Sequence, residues 1–147
     1  MRKAKKNDII LRVGNRKKNK YMERVALDKH IIETYGATAE FMWENYPTFA
    51  VYRHQYNKKW FAVIMEIPKS KLNLNDDGLV NVVNLKCDPL LIGSLLLENG
   101  FHKGYHMNKN YWITLRLDGS VDEAQIKWLI DMSFDLTATK KKRKVNK

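Results

Sequence analysis

Apolar and polar residues change their spacing several times along this chain, and each change marks a predicted element. Over 21–35 the apolar residues Met22, Val25, Ala26 and Ile32 recur at near-helical intervals, and Gly36 follows where a helix would end. The spacing predicts a first helix with those four residues facing inward. Two β-rich runs come next, 49–54 and 60–67, separated by Tyr56-Asn57-Lys58, which is turn chemistry at hairpin length. The polar stretch 68–78 predicts an exposed, mobile loop, and 80–86 a third strand. Asp88-Pro89 places a capping acid before a proline at the first helical position, opening an apolar helix that runs to Leu97 and stops at Asn99-Gly100. Its composition predicts deep burial. Residues 102–107 and 111–117, joined through Asn108-Lys109-Asn110, read as a second hairpin. After the turn Asp118-Gly119-Ser120, 122–137 forms a last helix with Ile126, Leu129, Ile130 and Phe134 on one face. The order α-β-β-β-α-β-β-α predicts an α+β fold, a two-layer α-β(3)-α-β(2)-α domain with a largely antiparallel sheet, and it lacks the repeated βαβ units of a doubly wound fold.

Charge divides the chain differently. At 147 residues and 44% hydrophobic it has the size of one domain, and its formal charge is +11. That charge is not in the predicted elements. Residues 1–20 hold nine Lys or Arg against Asp8 alone, and 140–147 add six more, whereas 21–139 carry twelve basic and fifteen acidic groups, a net of −3. The chain therefore divides into a basic arm (1–20), a mildly acidic body (21–139) and a basic tail (140–147). The single cysteine, Cys87, excludes an intramolecular disulfide and suits a reducing compartment. No apolar run is long enough for a membrane span, so a cytoplasmic protein without a membrane partner is expected.

Three spaced strings in the body carry a family likeness: Asn84-Leu85-Lys86-Cys87-Asp88-Pro89, then Gly104-Tyr105-His106-Met107-Asn108-Lys109 with Trp112 and Thr114, then Leu117-Asp118-Gly119. With Tyr46-Pro47 before the first hairpin, and Ile130-Asp131 and Ser133 in the last helix, the body over 21–138 resembles the MmcQ/YjbR family. The resemblance implies the α-β(3)-α-β(2)-α layout, similar to that of type III secretion chaperones, and DNA binding through paired wing-like hairpins. Phe134 departs from the family pattern, which has a tyrosine after the serine.

Binding to nucleic acid requires cations spaced to meet phosphates. The first hairpin offers Arg53, Lys58 and Lys59, with His54; the second offers Lys103, His106 and Lys109, with His102 and Arg116. Trp112 sits among them with Trp60 and Tyr111, as stacking aromatics do in single-strand binders. Lys86 ends a strand beside a helix start, a place suited to an anion. Each has a plainer reading, since hairpin tips are polar in most proteins and aromatics fill cores. Cys87 and His106 suggest a thiol and its base, but nothing supplies an orienting third residue or an oxyanion hole, so no enzyme is expected. His102 and His106 share one side of a strand without an acidic or cysteine partner, so neither metal nor other cofactor is expected. The tail segment Lys-Lys-Lys-Arg-Lys-Val at 140–145 is similar to a viral nuclear-localisation signal without its preceding proline, but its expected use is as a phosphate-binding arm, or none beyond solubility. The expected partner is DNA or another nucleic acid. The alternatives are a protein partner received on a sheet edge or the last helix, and a small anion held between Lys86 and His106.

Overall fold

In the computed structural model, which describes residues 22–138 and so leaves both basic arms outside the described residues, α1 runs Arg24–Tyr35. Gly36 closes it at φ 71°, a conformation that costs a glycine little. Its inward stripe is Leu27 and Ile31; of the expected set Met22, just before the helix, is buried, but Val25 is 78% exposed, and Ala26 and Ile32 also face out. Two neighbouring apolar stripes were available, and the one chosen continues to Tyr35, which stacks on Phe134 of the last helix at 4.6 Å between ring centroids.

The strands are β1 (Ala50–Arg53), β2 (Trp60–Pro68), β3 (Leu79–Lys86), β4 (Phe101–Lys103) and β5 (Trp112–Arg116). With α2 (Pro89–Leu95) and α3 (Glu123–Thr137) they complete the α-β(3)-α-β(2)-α order. Every neighbouring pair is antiparallel, in the order β1-β2-β3-β5-β4. One row of paired residues crosses all five strands: Tyr52, Ala62, Leu85, Ile113 and Lys103. Beyond that row lie both hairpin loops. The opposite end carries Pro68, Leu79, Arg116 and Phe101.

Phe61 has no cross-strand partner, because the register steps from Tyr52↔Ala62 to Arg53↔Trp60. This bulge turns Phe61 toward the helices beside Ala62 and leaves Trp60 on the other face. Phe61 makes edge contacts with Tyr35, His54 and Phe134. Where the pairing of β2 with β3 ends at Ala62↔Leu85, Ser133 of α3 bridges the two strands, donating to Phe61 O at 2.6 Å and accepting from Lys86 N at 2.9 Å.

The helices cover one face of the sheet over Ile64, Val83, Leu85, Ile113 and Leu115. Loops cover the other, where Val51, Val63, Met65, Val80 and Val82 are packed by Trp43, Phe49, Leu72 and Tyr105. The stretch 68–78 is a largely exposed loop, as expected, yet it is anchored on this face. Lys69–Leu72 forms a 3-10 turn, Leu72 is buried, Lys69 N bonds Gly78 O at 2.9 Å, and Lys69 pairs with Asp76 at 3.0 Å. The expected deep burial of α2 is corrected. Only Ile92 and Leu95 of this seven-residue helix are buried, while Leu90 is 89% exposed and Leu97, just after it, 87%. Among the described residues, no helix is long and apolar enough to cross a membrane.

Candidate nucleic-acid interface

The second hairpin does not extend as a wing. Strand pairing stops at Lys103, and at Gly104 the chain passes so close to Trp112 that a Cβ would lie 2.9 Å from its carbonyl oxygen. Only a glycine fits there without displacing backbone. The turn that follows is tied back onto the loop-covered face of the sheet. Asn84 Nδ2 donates to Tyr105 O at 2.8 Å, Tyr105 N donates to Thr114 Oγ1 at 2.8 Å, and the Thr114 hydroxyl donates to Asn84 Oδ1. Asn84 and Thr114 are buried. His106, at φ 60°, and the Lys109 ammonium, 2.9 Å from Gly104 O, complete the bend. Asn84, Gly104, Tyr105 and Thr114, all within the quoted strings, thus form one structural unit.

Tyr105 stands between two depressions. On one side is an aromatic cleft of about 360 Å³, with Val63, Met65 and Asn84 as its floor and Trp43, Tyr46, Phe49, Trp60, Tyr105, His106 and Met107 around it. On the other is a depression of about 330 Å³ lined by Lys71, Lys103 and Lys109 with His102. No carboxylate lines it. His102 Nε2 is shielded from solvent without a hydrogen-bond partner among the described residues. Lys103 and Lys109 are thus brought together, His106 is separated from them into the cleft, and the two histidines do not share a site. Lys71, Trp43, Tyr46 and Phe49 were not anticipated as site residues. The one available signal was the density of aromatics over 41–49, a stretch with no helical or strand period.

The first hairpin is tighter. Its loop is closed by His54 N to Lys59 O at 2.9 Å, with Lys58 at φ 64°, and both lysines are exposed. Arg53 is neutralised by Glu40 at 3.1 Å, so its expected phosphate contact is already occupied. His54 is not a tip cation. It is buried against Phe134, and its Nε2 donates to Phe134 O at 3.1 Å and lies 2.9 Å from Thr137 Oγ1. Burial pulls its pKa below the ordinary 6.5, the Phe134 carbonyl opposes this, and Lys59 adds to it. Burial likewise lowers His30 and His102.

A folded value below the unfolded one means that the unfolded chain binds more protons in between. The contribution of these histidines is complete above about pH 6.5 and is lost as pH falls through the window beneath, by at most about 1.4 kcal/mol per pH unit for each group. Urea midpoints are expected to fall between pH 7.5 and pH 5, and to fall less in His54→Gln, whose amide keeps a donor but cannot titrate. Equal pH dependence in the two proteins would contradict this role.

Lys86 lies 5.8 Å from the Tyr111 ring centroid and 6.0 Å from that of Trp112, a cation resting beside two rings. Trp112 is half-buried there and lines neither depression. The anion seat expected beyond Lys86 is taken by Asp88, whose carboxylate accepts from Leu90 N at 3.0 Å. Lys86 lines neither the cleft that holds His106 nor the lysine-lined depression, so neither is the small-anion pocket expected between the two. Cys87 is buried on the helix side, with its thiol pushed up to about 11 by burial and by Asp88, whereas His106 is on the other face. The two do not form a thiol–imidazole pair.

Among the described residues, Lys29, Arg53, Lys69, Arg116 and Lys127 each have a carboxylate within 4.0 Å. Lys58, Lys59, Lys71, Lys86, Lys103 and Lys109 have none among the described residues. Four of these six lie beyond the Tyr52–Lys103 row at one end of the sheet, and Lys103 is in that row. The last turn of α3 is at the same end, where Asn57 Nδ2 donates to Thr137 O at 2.9 Å. The described chain therefore stops, at Ala138, beside Lys58 and Lys59. At its other terminus, Arg24 bonds Asn81 Oδ1 at 3.1 Å and the Thr48 carbonyl, toward the opposite end of the sheet.

The YjbR family model matches residues 32–136. The uncharacterized protein YyaQ of Bacillus subtilis is 39% identical over 116 residues, which cover 79% of this chain and 98% of that protein. A crystal structure of a Pseudomonas syringae protein is similar at 40% identity and TM-score 0.78, covering 80% of this chain and all of that one. A crystal structure from Deinococcus radiodurans, at 23% identity and TM-score 0.63 over 84% of this chain and 86% of that one, shares the fold.

Proposed function

This chain belongs to the YjbR family, and from that premise we propose that it is a non-catalytic, cytoplasmic nucleic-acid-binding protein that engages phosphates with one end of its sheet and with the basic tail attached there. The observation that carries this is the sorting of cations. A body of net −3 leaves Lys58, Lys59, Lys86, Lys103 and Lys109 free of carboxylates, among the described residues, at or beyond one row of the sheet. Cations already matched to acids within the fold gain little by meeting phosphates; unmatched ones release counterions from the nucleic acid. The buried thiol of Cys87, remote from His106, supports the non-catalytic part.

Fluorescence anisotropy against salt tests the proposal. Six tail cations each meeting a phosphate give a slope of log affinity on log salt of about −5. Deletion of 140–147 is expected to flatten the slope more than deletion of 1–20 does, although the latter removes nine cations instead of six. Replacing Lys58, Lys59, Lys103 and Lys109 by Ala should flatten it further. A slope unchanged by all three alterations would remove these groups from the mechanism.

A protein partner is the second reading. It is favoured by Leu90 and Leu97, which leave an apolar strip on and just after α2 open to solvent.

A further inference from the structure

We infer that the two depressions flanking Tyr105 together seat one unstacked nucleotide of a single strand, with its base in the aromatic cleft and its phosphate over the lysines. The inference rests on the nucleic-acid reading above and specifies the form of the ligand.

The cleft is built for a flat ring. Its floor is apolar at Val63 and Met65. Trp43 is held edge-on by Phe49, at 6.1 Å and 79°, and by Trp60, at 5.8 Å and 82°; Tyr46 stacks on Phe49 at 4.9 Å. Rings fixed by other rings lose little freedom when a base stacks on them. The volume, about 360 Å³, falls at the small end of ligand sites. A paired base, stacked on both faces within a duplex, cannot enter a concave cleft without being extruded.

The polar groups narrow the choice further. The Asn84 amide is engaged at both ends, by Tyr105 O and Thr114, and is 1% exposed, so the floor presents little polar surface to the edge of a base. Seating by stacking alone tolerates any base. Next door, Lys71 and Lys103 are exposed and unmatched, and Lys109 gives one of its three protons to Gly104 O, leaving two. His102 Nε2 adds a nitrogen without a partner among the described residues. An apolar ring seat and an acid-free basic seat that share one tyrosine wall match the two halves of a nucleotide.

Tryptophan fluorescence reads the site, since Trp43 and Trp60 line the cleft. The full chain is titrated with a short oligothymidylate, with an abasic strand of the same length and charge, and with thymidine 5′-monophosphate. The base-bearing strand is expected to bind roughly 5- to 150-fold more tightly than the abasic one, the range that stacking one base supplies. Trp43→Ala with Tyr46→Ala should bring that ratio to one with abasic affinity unchanged; Lys71→Ala with Lys103→Ala should weaken both strands alike. Tyr46→Ala alone, at a half-exposed position, repeats the first comparison should the double variant not fold. Equal binding of base-bearing and abasic strands by the unaltered chain overturns the base seat and leaves the phosphate reading standing. A ratio unmoved by the cleft variants also overturns it. Monophosphate binding as tight as the strand overturns the assignment to a strand; no binding of either strand overturns the single-strand seat, and no binding of a duplex as well overturns the nucleic-acid reading itself.

Discussion

Asn84→Ala is expected to lower stability by about 3 kcal/mol, and the melting temperature by roughly 10 °C. The magnitude comes from what the substitution leaves behind. Tyr105 O loses its donor and the Thr114 hydroxyl its acceptor, in surroundings where Asn84 and Thr114 are 1% and 0% exposed. An intact neutral hydrogen bond contributes only about 1 kcal/mol net, but each orphaned buried group costs about 1–3 kcal/mol. Hydrogen exchange at the Tyr105 amide should accelerate as the turn loosens. The decisive comparison adds Thr114→Val. Removing both polar partners relieves the orphaned hydroxyl, so the double variant should lose far less than the two single losses combined. Simple additivity would mean that Asn84 and Thr114 do not act as a unit.

Ser133→Ala is expected to cost about 2–4 kcal/mol for the loss of one oxygen atom. That hydroxyl satisfies Phe61 O and Lys86 N at once, from a fully buried position where water cannot replace it. Regular pairing of β2 with β3 ends at Ala62↔Leu85, and the next carbonyl and amide, Phe61 O and Lys86 N, are bridged by this hydroxyl. Urea denaturation should show a lower midpoint with an unchanged slope. Ser94→Ala is the control: its hydroxyl bonds only Leu91 O, one turn back on exposed α2, and its loss should stay within about 0.5 kcal/mol. A Ser133→Ala variant as stable as that control would show that the end of the β2–β3 ladder needs no support from α3.

These two residues also mark how far the sequence was legible. Element order and type followed from spacing, because caps and turns such as Gly36 and Asp88-Pro89 act locally. Burial was harder to read. Val25 and Leu27 fit a helical stripe equally well, and which one faced the sheet was decided by the aromatic contact from Tyr35 to Phe134, far apart in sequence. Alternation over 102–107 looked like strand, yet the chain leaves the sheet at Gly104 because Trp112 admits no side chain there, and that neighbour is known only once β5 is in place. Lys103 and Lys109 were identifiable as cations, but the contribution of Lys71 depended on Leu72 anchoring its segment under the opposite face. The aromatic cleft was least legible. Trp43, Tyr46 and Phe49 come from a stretch without period, and they become a wall only because the Asn84 and Thr114 bonds hold Tyr105 opposite them.

The placement of Ala138 beside the first hairpin loop sets a footprint. Whatever its conformation, a nine-residue extension spans at most about 30 Å, so every cation of the tail acts within that radius of Lys58 and Lys59. On the proposed reading this limits the tail to about nine base pairs of duplex, at 3.4 Å per pair. The arm, joined toward the far end of the sheet, has more than twice that reach. Tail contacts should therefore saturate on short oligonucleotides, and only longer ones should register the arm.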